Sequence, residues 1–114
     1  MTILVVNKKP KESEVFLILE DCVREWFKKT FKKFTLPQLF GIKLIHEGKN
    51  TLITAPTGSG KTLACFLSII NELVKLSKEN KLEDYVYCIY VSPLRALAND
   101  IRKNLIIPLK GIEE

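Results

Sequence analysis

Apolar residues recur at three- and four-residue steps from about Glu12 onward: Val15, Ile18, Leu19, Cys22, Val23, Trp26 and Phe27, with charged residues between them. That period draws one apolar stripe along a helix and predicts a single amphipathic helix, with Ser13 at its N-cap. Ahead of it, Ile3 to Val6 is a short apolar run closed off by Asn7-Lys8-Lys9-Pro10-Lys11, so residues 1–11 read as a leader or a short edge strand. Thr35-Leu36-Pro37-Gln38 opens a second helix that runs to about His46: Thr35 is a capping residue, and Pro37 is tolerated in a first turn. Gly48-Lys49-Asn50 is a turn, and Thr51-Leu52-Ile53-Thr54 after it reads as a short strand. A third helix follows Thr62, striped by Leu63, Phe66, Leu67, Ile70, Leu73, Val74 and Leu76. Beyond a polar connection, Tyr85 to Val91 is rich in β-branched and aromatic residues and predicts a largely buried strand. Ser92 and Pro93 then suit the N-cap and first position of another helix, which turns Leu94, Leu97, Ala98, Ile101 and Leu105 inward. Strand, helix and strand in that order make a right-handed crossover, so the expected fold class is α/β with a parallel sheet flanked by helices.

Composition narrows the setting. The 114 residues suffice for one small domain, and 46% apolar with 27% charged residues is the balance of a soluble globular chain. No apolar stretch approaches the roughly 20 residues of a membrane span, and the opening apolar run is too short for a signal peptide. Cys22, Cys65 and Cys88 form no CxxC pair and His46 is the single histidine, which leaves no zinc set. They read as buried thiols in a reducing compartment, and the expected location is cytoplasmic. The formal charge of +5 is compatible with a nucleic-acid partner, but a solvated lysine-rich surface is the commoner explanation. Likewise Lys28-Lys29-Thr30-Phe31-Lys32-Lys33-Phe34 alternates lysine pairs with phenylalanines. It reads either as a basic patch with stacking rings or, as preferred on spacing, as a helix end with core phenylalanines and solvated lysines.

The chemistry concentrates between Ala55 and Thr62, in Ala-Pro-Thr-Gly-Ser-Gly-Lys-Thr. Phosphates need donors that approach closely, and Gly58 and Gly60, lacking a Cβ, let a loop aim successive N–H groups inward. The helix that begins near Gly60 adds the positive end of its dipole. Lys61 is placed to reach outer phosphates, and the Thr62 hydroxyl to ligate magnesium. Gln38, three residues after Thr35, has two jobs open to it: closing a capping box, or reading an adenine edge with its amide. Arg95, at the carboxyl end of the second expected strand, is either a phosphate contact or an ordinary exposed helix residue.

Taken together, these stretches resemble the front of a superfamily 2 nucleic-acid helicase, most closely the Lhr-type (large helicase-related) group. Thr35 to Gln38 looks like the Q motif, with Trp26, Phe27 or Phe31 as its upstream aromatic; Ala55 to Thr62 looks like motif I; Ser92 to Asp100, with its Pro-Leu-Arg-Ala-Leu core, looks like motif Ia. The resemblance implies a partial RecA-like domain over residues 12–114, with ATP and Mg2+ as cofactors. It implies that Thr35 and Gln38 address the adenine, that Thr57, Gly58, Ser59, Gly60 and Lys61 hold phosphates, and that Thr62 holds magnesium, with Lys61 and Thr62 counted as catalytic. Pro93 and Arg95 would touch the backbone of a nucleic-acid strand, DNA rather than RNA, without reading its sequence.

The family's acidic motif, Asp-Glu-X-His or a relative, does not occur in these 114 residues. The expectation is therefore an N-terminal part of a helicase motor with negligible turnover of its own, because phosphoryl transfer without the metal-holding acid loses most of its electrostatic stabilisation. The alternatives are a non-catalytic nucleotide- or nucleic-acid-binding module and, from another class, an unrelated P-loop enzyme. An uncovered sheet edge also predicts self-association.

Overall fold

The computed structural model describes residues 5–6, 8–56, 59–91 and 102–113. Five α-helices run through them: α1 Glu12–Ile18, α2 Asp21–Thr30, α3 Leu36–His46, α4 Lys61–Lys78 and α5 Ile107–Glu113, with the π-helical stretch Arg102–Ile106 leading into the last. Helix α4 is the centre of the packing. Its Leu63, Ala64 and Leu67 meet Leu39 and Ile42 of α3, and Val15, Leu19, Val23, Phe27 and Phe34 complete one core.

The first expected helix is in fact two. Leu19 leaves the helical region at ψ 138, and Glu20 at ψ 154 becomes the N-cap of α2. The break keeps the apolar stripe buried on both sides, since Val15, Leu19, Val23 and Phe27 are all 0–1% exposed. Two polar side chains hold the corner. Asn71, buried on α4, accepts the Glu20 N–H at 2.6 Å and donates to the Ile18 carbonyl at 3.1 Å. Arg24 reaches back to the Phe16 and Leu19 carbonyls at the end of α1, both at 2.9 Å; the Phe16 carbonyl also accepts the Leu19 N–H. Ser13 lies inside α1, and Lys11 occupies the N-cap without a side-chain bond, so the Ser13 cap is not formed.

An aromatic cluster ties this corner to the loop before α3. Phe27 and Phe34 stack with centroids 4.2 Å apart, and Phe16 sits 4.6 Å from Phe34. Phe34 is core, as the spacing of the lysine–phenylalanine stretch suggests, whereas Phe31 is 48% exposed. Helix α5, which the sequence pattern does not announce, closes on α2 where Gly111 lies against the Trp26 ring; a Cβ there would collide with the indole nitrogen.

The α/β expectation fails: among the described residues there is no strand and no sheet. The apolar side chains assigned to strands face solvent instead, with Leu52 88%, Ile89 81% and Val91 87% exposed. Strand preference measures fit to a pleated, half-buried surface and is not an intrinsic backbone preference, so β-branched composition without a paired neighbour makes no ladder. Residues 51–54 and 85–91 touch the helices through a few side chains. Ile53 lies against Gly41 of α3, and Tyr90 packs on Phe66 of α4 with ring centroids 4.9 Å apart. The partial RecA-like sheet and the edge inferred from it are therefore not features of the described structure. The cysteines also differ from expectation: Cys65 and Cys88 are exposed and Cys22 is half-buried. Residues 1–4, the first half of the expected edge strand, lie outside the described residues, and Val5 and Val6 are exposed.

Candidate nucleotide-binding site

Two helix starts meet at the candidate site. Helix α3 begins with a complete capping box: the Gln38 N–H donates to Thr35 Oγ1 at 3.4 Å, and the Thr35 N–H donates to Gln38 Oε1 at 2.9 Å. With Pro37 in the first turn, this fixes where α3 starts. Helix α4 begins at Lys61, with Gly60 at its N-cap in the left-handed region at φ +82. That backbone angle suits glycine and little else. A second constraint falls on the same residue, because a Cβ on Gly60 would collide with the Gln38 amide nitrogen.

The contact between Gln38 and Gly60 joins the two motifs. Gln38 Nε2 donates to the Gly60 carbonyl at 3.3 Å, across 22 residues of sequence. Gln38 is 3% exposed, so its capping role is realised in full. An amide has two donor hydrogens and two acceptor lone pairs, and the two bonds made here leave one of each.

Around the loop, the Ser59 N–H donates to the Pro56 carbonyl at 3.2 Å and closes a tight turn. The Ser59 hydroxyl is buried without a hydrogen-bond partner. An unpaired buried hydroxyl costs about 1–3 kcal/mol. Lys61 bends back and donates to the Ala55 carbonyl at 2.8 Å. Thr62 stands half-buried in the first turn of α4, a turn that carries no acidic residue to repel an anion.

The structure thus brings together Thr35, Gln38, Ser59, Gly60, Lys61 and Thr62. Thr57, Gly58, Pro93 and Arg95 lie outside the described residues. Sequence reasoning missed the bond from Gln38 to Gly60 and the Ala55 carbonyl that holds Lys61. Both use main-chain oxygens, which have no sequence signature. Among the described residues no three or more His, Cys, Asp or Glu side chains gather to hold a metal ion. No helix among them is long and apolar enough to cross a membrane.

The chain belongs to the DEAD/DEAH box helicase family, which its residues 35–113 match from the Thr35 cap to the last helix. Within that family it is similar to Lhr-type proteins. It is 62% identical to the ATP-dependent helicase Lhr-Core of Methanocaldococcus jannaschii, over 94% of this chain and 13% of that protein. It is 47% identical to the protein of the same name from Saccharolobus solfataricus, over 90% of this chain and 12% of that one. The Lhr helicase/uracil glycosylase of Escherichia coli is 37% identical over 85% of this chain and 7% of its own length. The chain thus spans only 11–13% of the archaeal relatives it matches. No solved structure matches it.

Proposed function

We propose that this chain is the nucleotide-binding front of an ATP-dependent helicase motor, in which the loop before α4 takes the phosphates and Gln38 takes the adenine. The observation that carries the reading is the buried, unpartnered Ser59 hydroxyl beside a left-handed Gly60 at the start of α4. A phosphate oxygen accepts hydrogen bonds, and this position offers a free hydroxyl, unpaired helix N–H groups and no competing carboxylate. Thr57, Gly58, Ser59, Gly60 and Lys61 would hold the phosphates. When Lys61 leaves the Ala55 carbonyl for an anionic oxygen it exchanges a neutral acceptor for a charged one and gains an ion pair.

Magnesium at such sites is held by one or two carboxylates together with substrate phosphates, and of that set these residues would supply the Thr62 hydroxyl beside the phosphates. When bound, it would neutralise phosphate charge and orient the outer phosphoryl group. Thr35 positions Gln38 through the capping box, and the free donor and acceptor of the Gln38 amide match an adenine edge. Because Gln38 also holds the Gly60 carbonyl, base recognition and the phosphate loop are mechanically joined. Pro93 and Arg95 would contact the backbone of a nucleic-acid strand, with DNA favoured by the Lhr-type similarity. In the whole protein, ATP turnover would drive movement along that strand.

The absence of an Asp-Glu-X-His tetrad from these residues supports a second reading for the chain by itself, a binding module that does not turn ATP over. The two share one test. Competition between ATP and GTP for the chain should favour ATP, and Gln38→Ala should erase that preference while phosphate-dependent binding persists at lower affinity, since the same amide holds the Gly60 carbonyl. An adenine preference unchanged in Gln38→Ala would refute the role of Gln38. Magnesium-dependent ATP turnover abolished by Lys61→Ala would refute the module reading.

A further inference from the structure

The lysines at the end of α2 form a charged surface that the nucleotide site does not use. Lys28, Lys29, Lys32 and Lys33 are all exposed. The ion pairs among the described residues engage Arg24, Lys43, Lys49, Lys78 and Lys81, and none involves these four. Two of them have an internal reason to be there. Lys28 and Lys29 complement the negative end of the α2 dipole, and the Lys28 ammonium sits 4.8 Å from the centre of the Phe16 ring. Lys32 and Lys33 lie past the helix and have no such role. Lys32 even holds φ +67, a left-handed angle at which glycine would cost less. The surface continues across the loop into a groove of about 540 Å³, whose lining includes Lys9, Lys11, Lys33 and a single carboxylate, Glu12. Between the lysine pairs stands Phe31, 48% exposed and braced edge-on by Trp26 at 5.9 Å.

We infer that this surface binds the phosphate backbone of a single nucleic-acid strand, with a base stacked on the exposed face of Phe31. It rests on the proposed function only in taking a nucleic-acid strand as partner, and it uses neither Pro93 nor Arg95. Lysines spread along a groove follow a string of phosphates, and a rigidly held, half-exposed ring between them is a platform for a base. An anionic membrane fits less well. The apolar face of α2 is already spent on the core through Val23 and Phe27, so no apolar face remains to enter a bilayer.

The test is fluorescence anisotropy of an end-labelled single-stranded oligonucleotide against the full chain over a range of salt. Replacing Lys29, Lys32 and Lys33 together by alanine should weaken binding about tenfold or more and lower the salt slope by about 2. A charge-matched variant, with Lys49, Lys75 and Lys81 replaced by alanine, should change neither by a comparable amount. Phe31→Leu, which keeps apolar bulk in the cluster, should weaken binding by about fivefold with the salt slope unchanged. Far-UV circular dichroism checks that each variant keeps its helices. Equal losses in the two triple variants would reduce the surface to general charge and overturn the inference. So would phosphatidylserine vesicles bound through these lysines in place of the oligonucleotide. Binding lost in Arg95→Ala but intact in the α2 triple variant would overturn this surface alone. No oligonucleotide binding by the unaltered chain would overturn both it and the proposed nucleic-acid partner.

Discussion

Asn71 serves both sides of the corner between α1 and α2 with one amide, and its burial leaves no water to replace either bond. Asn71→Ala should therefore destabilise the chain by about 2 kcal/mol, measured by urea denaturation, the range for leaving buried partners unmet. Cys65 is an exposed residue, yet the protein packed around its thiol pushes its pKa up, and Cys88 adds to the effect. A raised pKa means less thiolate at a given pH. Iodoacetamide at mildly alkaline pH should thus modify Cys65 more slowly than an unstructured cysteine peptide, with the gap closing as pH rises. Gly60 combines a left-handed angle with contact against Gln38. Gly60→Ala should cost about 1 kcal/mol or more in stability, from the backbone angle alone. It should also weaken nucleotide binding, because the added methyl displaces the amide that joins the two motifs.

At the scale of elements, legibility followed the reach of the interaction. The start of α3 was readable because Thr35, Pro37 and Gln38 act within one turn, and the capping box forms as their spacing implies. Thr35→Ala should lower stability by about 1 kcal/mol by chemical denaturation, the usual value of an N-cap. The stripe of α4 was equally plain, since Leu63, Phe66, Leu67 and Ile70 are buried as a helical period requires. The break at Leu19 was not readable. The stripe keeps its phase through it, and the residues that stabilise it, Asn71 and Arg24, act on main-chain groups, in one case 53 positions away. The strands failed for a related reason: a strand exists only through its partner, and periodicity within 85–91 carries no information about pairing.

For the whole molecule, the loss of the sheet leaves apolar side chains in water. Leu52, Val86, Ile89 and Val91 are each more than 70% exposed. Exposed apolar surface of this kind drives association. Light scattering should show concentration-dependent self-association, weakened when Ile89 and Val91 are replaced by serine, and a monodisperse monomer at high concentration would contradict this. The candidate site was legible in the sequence at the start of α3, at Thr35. Its chemistry is carried by contiguous residues from Ala55 to Thr62, and its family membership extends over 35–113. Its tertiary half, the bridge from Gln38 to Gly60, appears only in the folded chain.

The central claim is that the loop before α4 holds a nucleotide through its phosphates. Equilibrium titration of the chain with a fluorescent ATP analogue in the presence of magnesium, beside Lys61→Ala, tests it most directly. Binding should be saturable and should weaken at least about tenfold in Lys61→Ala, the loss expected for one charge-assisted hydrogen bond. Equal affinity in the two proteins would contradict it.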